Sequence, residues 1–292
     1  MTVTAGTERS EKVDLPPIDT RPLQRRRRVR ALQQTAAIAI SLFMGVPIYL
    51  ITIAALSSRE GLNEFPLSFL PTHFSTATLE AFLTSTAVGP SMINSLLVGV
   101  WTIVLSLLIG APAGYALARF VFRGRDAYQL VLLLTRALPI VVLSIPLAEL
   151  FLNAGMFDSV FAVALLHTAL AVPTTVLITA SIFVSVPRDL EEAALLFGCT
   201  RFGAFRRVVM PMAAPGIAAS SVFTFVLSWN EVLASAVLTL NNRTLPAQVL
   251  ASLRQSPLAY QFAGGFVLIV PGLIFILLMR RYLLNMWGSG VR

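Results

Sequence analysis

Six stretches of this chain are continuously apolar, at residues 34–56, 93–118, 128–150, 160–183, 217–238 and 262–284. Each approaches or exceeds the roughly 20 residues that a helix needs to cross about 30 Å of hydrocarbon. Strands of a membrane barrel alternate apolar and polar positions over about 10 residues, and residues 96–109 do not alternate. The pattern predicts an all-α integral membrane protein with six transmembrane helices. The polar segments between them are short, except for residues 57–92 and 184–216. The first of these, at 36 residues, is too small for a ligand-binding domain.

Composition agrees. Hydrophobic residues make up 56% of the chain and charged ones 12%, against about 25% charged in an average soluble protein. Mean hydropathy is +0.79. A soluble enzyme is therefore excluded. The net charge of +8 suggests nucleic acid until its distribution is read. With the N-terminus in the cytosol, Lys and Arg number eight before span one, three between spans two and three, four between spans four and five, and three after span six. The outer segments hold only Arg59, Arg243 and Arg254, and Arg136 lies within a span. That asymmetry places both termini in the cytosol. The run Arg25–Arg28 beside span one reads as a membrane-surface anchor rather than a nucleic-acid site, and residues 1–30 as a disordered basic cytosolic arm. No cleavable leader is expected, because about 33 polar residues precede the first apolar run. One cysteine, Cys199, and two distant histidines, His73 and His167, argue against a disulfide or a metal site.

The inner segment between spans four and five is patterned. Pro187 suits a first helical turn, and Asp189, Glu191 and Glu192 crowd the positive end of the helix dipole. Leu190, Ala193, Ala194 and Phe197 follow at i, i+3, i+4 and i+7, one apolar stripe. Gly198 is placed to end the helix. Phe202, Phe205 and Val209 mark one side of a second short helix, which Pro211 is expected to stop. An anionic lipid surface would repel the three acids, so this elbow suits a protein partner.

Glu192-Ala193-Ala194, then Gly198 after three residues, then Val208-Val209-Met210-Pro211 after nine more, resembles the "EAA" loop of permease subunits in ATP-binding-cassette importers. Val208 and Met210 stand for the usual Ile and Leu, and Phe197 for a frequent acidic residue. Asn94-Ser95-Leu96, Pro139, Pro146, Gly155, Asp158, Trp229-Asn230-Glu231 and Thr244-Leu245-Pro246 are similar to the carbohydrate (maltose and sugar) branch of that family. So is the tail, which ends Gly-Ser-Gly-Val-Arg. The likeness covers residues 31–292, the expected transmembrane domain, with 186–211 as its coupling loop.

The resemblance implies a prokaryotic cytoplasmic membrane, a homologous permease partner, two ATPase subunits that bind ATP and Mg, and an external solute-binding protein. It implies that Leu190, Glu191, Glu192, Ala193, Ala194, Phe197, Gly198 and Pro211 form the ATPase-coupling site, and that the cargo is a sugar, an oligosaccharide or a polyol. Importers of an amino acid or a phosphonate share the loop, and an ion-coupled carrier working alone is the other class of reading. No cofactor is expected on this chain: its one lysine, Lys12, stands in no phosphate-binding G-x-x-x-x-G-K-[ST] loop. No catalytic constellation is visible, so the chain reads as not an enzyme.

Polar residues inside spans are costly and mark candidate paths. Asn94, Asn153, Trp229, Asn230 and Glu231 are the substrate-path candidates, with Trp229 offering a ring face. Asn230 and Glu231 serve equally as interhelical or subunit contacts, and Asn94 as a cap of span two. Arg136 needs a carboxylate partner, with Glu149 too far along one helix, and His167 reads as an interhelical hydrogen bonder.

Overall fold

The computed structural model describes residues 21–63, 74–253 and 256–288. Its elements are α1 (Arg21–Ala55), α2 (Arg59–Asn63), α3 (Ala77–Leu83), α4 (Val88–Arg119), α5 (Arg125–Thr135), α6 (Ile140–Asn153) and α7 (Val160–Ser185). There follow α8 (Arg188–Leu196), α9 (Arg201–Ala204), α10 (Met210–Asn230), α11 (Leu233–Leu238), α12 (Leu245–Leu253) and α13 (Leu258–Gly288). No strand is present among the described residues; a single bridge joins Ser57 to Phe74.

The chain divides into two units, residues 1–49 and 50–292. In the first, α1 begins at Arg21 and carries the arginine run on helix, so the expected disordered arm is helical from that point. Residues 1–20 lie outside the described residues. From Val29 to Tyr49 the apolar side chains are exposed on every side of the helix, as suits a lipid surrounding.

In the second unit, α4, α7 and α10 form the centre, and α13 packs on α10. The α4–α7 contact is the most extensive and has a specific cause. Gly110 and Gly114 lie one turn apart on α4. A Cβ at Gly114 would come within 2.8 Å of Ala180 N and 2.9 Å of Val176 O, so only glycine lets the two backbones meet there. Thr179 Oγ1 on α7 donates to Gly110 O at 3.0 Å across that contact. One core gathers Phe82, Val88, Phe225, Trp229, Leu245 and Val249. Another lies beside the coupling loop, with Ala118, Phe183, Val186 and Val209.

Two predicted spans are not straight helices. The third is α5 and α6, bent by 89° at Arg136–Pro139. Pro139 cannot continue the backbone ladder and disfavours helix at Leu138. The fifth ends at Asn230 rather than Leu238. Glu231 is extended (φ −79°, ψ 123°), and its carboxylate accepts from Leu233 N at 3.0 Å and Ala234 N at 2.8 Å, capping α11. Among the described residues, five helices are thus long and apolar enough to span, or six spans when the bent pair counts as one. Contrary to the expectation above, Pro211 does not stop the helix. A π-helical turn, Phe205–Val209, precedes it and the helix runs on from α9 through α10, the widened turn lying where proline interrupts the ladder.

Candidate functional site: the α8–α9 elbow and the Asp158 clamp

Helix α8 starts at Arg188, after Pro187 at its N-cap, with Asp189 and Glu191 in its first turn, and stops in a Schellman turn. Gly198 N–H donates to Leu195 O and Cys199 N–H to Ala194 O, both at 3.0 Å. Gly198 has φ +85°, a region that L side chains rarely enter. Thr200 then caps α9, its Oγ1 accepting from Gly203 N at 3.1 Å. The elbow is therefore built by local chemistry.

It is also clamped to the C-terminal end of α4. Arg119 Nε meets Glu191 Oε2 at 2.8 Å, with the two side chains 6% and 14% exposed. Tyr115 Oη donates to Glu191 Oε1. Arg119 Nη2 donates to Val186 O at 2.9 Å, and Arg188 Nη2 to Ala118 O at 3.2 Å. Arg201 lies 5.9 Å over the Phe120 ring. Tyr115, Phe183 and Phe205 pack ring against ring beneath. Glu191, grouped in the sequence with outward-facing acids, is turned inward: a second helix supplies a guanidinium that its own segment lacks. Glu192 is exposed.

The apolar stripe is likewise divided. Ala194 is buried and Ala193 half-buried, whereas Leu190 and Phe197 face outward. Leu196 is 88% exposed, Phe197 90% and Phe202 72%. These three form an apolar tip that the sequence reading, led by the i, i+3, i+4 rule, partly missed. Pro211 lies in the first turn of α10.

At the far end of the spans a second clamp forms. Asp158, with φ +58°, accepts on Oδ1 from Leu240 N, Asn241 N and Asn242 N at 2.9–3.0 Å, and on Oδ2 from Asn241 Nδ2 at 3.0 Å. Partial burial raises its carboxyl's pKa, but the hydrogen bonds from Asn242, Leu240 and Asn241 outweigh it and hold the group below the ordinary carboxylate value. Asn94 belongs to this clamp. It lies one and a half turns into α4, so it is no cap; its Nδ2 donates to Arg243 O at 3.3 Å, while Ser95 Oγ accepts from Leu245 N at 2.7 Å.

The remaining candidates lie apart from these two clamps. Trp229 is 6% exposed; its Nε1 donates to Leu268 O at 3.0 Å and its ring stacks on Phe225. It packs between α10 and α13 and, with Phe225 and Asn230, borders a cavity of about 340 Å³. Asn230 Nδ2 donates to Val226 O within its own helix at 2.9 Å. Asn153 ends α6, exposed, and Glu149 is exposed on the same helix. Arg136 has no ion-pair partner among the described residues. His167 is fully buried, its Nδ1 2.9 Å from Ser228 Oγ and its Nε2 3.3 Å from Glu231 Oε2, off the line of a good hydrogen bond.

Residues 106–283 match the family described as "Binding-protein-dependent transport system inner membrane component". The chain belongs to this family. It is a transmembrane permease subunit of an ATP-binding-cassette importer, a membrane component rather than a catalytic one. The permease is 36% identical over 220 residues to the diacetylchitobiose uptake system permease protein DasC of Streptomyces coelicolor, covering 71% of this chain and 77% of that one. It is 31% identical over 250 residues to the sulfoquinovosyl glycerol transport system permease protein SmoH of Agrobacterium fabrum, covering 84% and 87%. Its fold matches a bacterial ABC transporter involved in import of the acidic polysaccharide alginate, with TM-score 0.67, 21% identity, and coverage of 87% of this chain and 96% of that one.

Proposed function

We propose that this permease carries a sugar, an oligosaccharide or a polyol across a prokaryotic cytoplasmic membrane by alternating access. It works with a homologous permease, in a heterodimer, and with two ATPase subunits and an external binding protein. Six spans cross, formed by α1, α4, the bent α5–α6 pair, α7, the α9–α10 run and α13, with both termini cytosolic. The charge asymmetry supports that orientation. Uptake systems for diacetylchitobiose and trehalose among the relatives support the carbohydrate class.

One observation carries the coupling assignment: an elbow rigidly clamped to α4 through Arg119–Glu191 presents Leu196, Phe197 and Phe202 to the outside. Burying such side chains contributes about 1.5–3 kcal/mol each, ample for docking on an ATPase. ATP would close the ATPase pair, and the clamp would pass that motion to α4 and α10. Gly198 then has two roles, turning the chain and letting the partner approach.

The test is reconstitution in liposomes with the partner subunits and binding protein, measuring uptake of radiolabelled trehalose, diacetylchitobiose, arabinooligosaccharides and methionine. ATP-dependent uptake of a saccharide is expected. Uptake of methionine alone would replace the carbohydrate class, and uptake by the permease without ATPase subunits would overturn the importer coupling.

A further inference from the structure

The two places where predicted spans break face one cavity. Arg136, at the α5–α6 bend, and Glu231, at the α10–α11 break, line a space of about 220 Å³ together with Ala169, Leu170, Pro173 and Leu227. Broken helices at membrane depth persist where they line a water-filled cavity or are buried in protein. The volume falls below the roughly 300–1,000 Å³ of pockets that enclose drug-sized ligands, so it suits a single ring.

The polar groups there are mixed. Arg136 brings donors and no acceptor, and it has no ion-pair partner among the described residues. Glu231 brings acceptors. Its carboxylate already receives Leu233 N and Ala234 N and faces His167 Nε2 at 3.3 Å. Of about four lone-pair sites it keeps little for a full ammonium group, but enough for a hydroxyl. A third group is backbone: Pro173 has no N–H to give the Ala169 carbonyl, four residues earlier on α7, so that oxygen stays an acceptor where both residues border the cavity. An anion would be repelled by Glu231 and a cation by Arg136. Hydroxyl groups, donor and acceptor at once, satisfy all three.

We propose that this cavity is a saccharide contact on the translocation path. Arg136 donates to the hydroxyls of one ring, and Glu231 and the Ala169 carbonyl accept from them. His167, held by Ser228, is a positioning residue that keeps the Glu231 carboxylate against the cavity wall. This rests on the carbohydrate reading above and assigns it a place in this subunit.

The single native cysteine makes the site testable in the complete complex. In a Cys199→Ser background, Leu227→Cys is treated with the neutral, hydroxyl-bearing thiol reagent 2-hydroxyethyl methanethiosulfonate, with Val131→Cys on the exposed face of α5 as control. Labelling at position 227 is expected at least tenfold faster than at the control, and at least threefold slower when a panel saccharide is being transported. In parallel, Glu231→Gln and His167→Ala should raise the KM for that saccharide at least fivefold in complexes that still co-purify with their ATPase, and His167→Gln should recover part of the loss. Equal labelling at 227 and 131, protection by methionine but by no saccharide, or an unchanged KM in Glu231→Gln overturns the site. If the unmodified complex takes up no panel saccharide, the carbohydrate reading itself fails. Uptake of one without protection at 227 fails this site alone.

Discussion

Gly198 separates a conformational role from a docking role. Its φ of +85° costs an L residue about 1–2 kcal/mol, and no atom of this chain lies within 4 Å of a Cβ built there. Within the permease, Gly198→Ala should therefore weaken the elbow by that strain alone, roughly fivefold to thirtyfold in its equilibrium. Asn enters the left-handed region more readily than Ala, so Gly198→Asn should strain the turn less. If glycine merely stops α8, Asn is the milder substitution. If an ATPase surface covers Gly198, the larger Asn is the more harmful one, and Gly198→Asp more harmful still. The assay is binding-protein-stimulated ATP hydrolysis and uptake in proteoliposomes, beside the amount of permease inserted. Normal insertion is expected throughout, with partial coupling in Gly198→Ala and uncoupled hydrolysis in Gly198→Asn and Gly198→Asp. Near-normal coupling in Gly198→Asn with loss in Gly198→Ala would refute close approach at this position.

Three further outcomes are expected. Gly114→Leu, which drives a side chain into the Val176 and Ala180 backbone, should cost more than 1–3 kcal/mol of overpacking and lower the detergent melting temperature, whereas Gly89→Leu, with nothing within 4 Å of its Cβ, should not. Glu191→Ala leaves the buried Arg119 charge uncompensated, costing about 3–5 kcal/mol; Glu191→Ala combined with Arg119→Met should restore most of the melting temperature, and failure to do so would show that the pair is not coupled. The Asp158 carboxyl lies below its ordinary value in the folded protein. Its stabilisation is thus present above the unfolded value of about 3.9 and is lost as pH falls through the folded value. Melting curves should show an acid-limb loss that is reduced in Asp158→Asn.

Legibility in the sequence followed the range of the cause. The apolar runs, the acidic start of α8 and the glycine stop are local, and periodicity and cap chemistry expose them. The π turn was not readable, because Pro211 allows either a stop or a widened turn. The break at Glu231 carries no glycine or proline, and arises from a carboxylate that caps the following helix. The inward turn of Glu191 needs Arg119, 72 positions away, and the approach of Glu231 to His167 bridges 64 positions. No spacing rule joins such pairs. The close α4–α7 contact was not anticipated, although Gly110 and Gly114 stand in the small-xxx-small pattern of packed membrane helices.

The claim that the Leu196–Phe197–Phe202 tip meets an ATPase is tested most directly by a photo-crosslink. With p-benzoylphenylalanine placed at position 197 in the assembled complex, illumination should join the permease to a subunit bearing a nucleotide-binding G-x-x-x-x-G-K-[ST] loop, and the yield should change when ATP and vanadate are added. Crosslinks confined to lipid or to the second permease would contradict it.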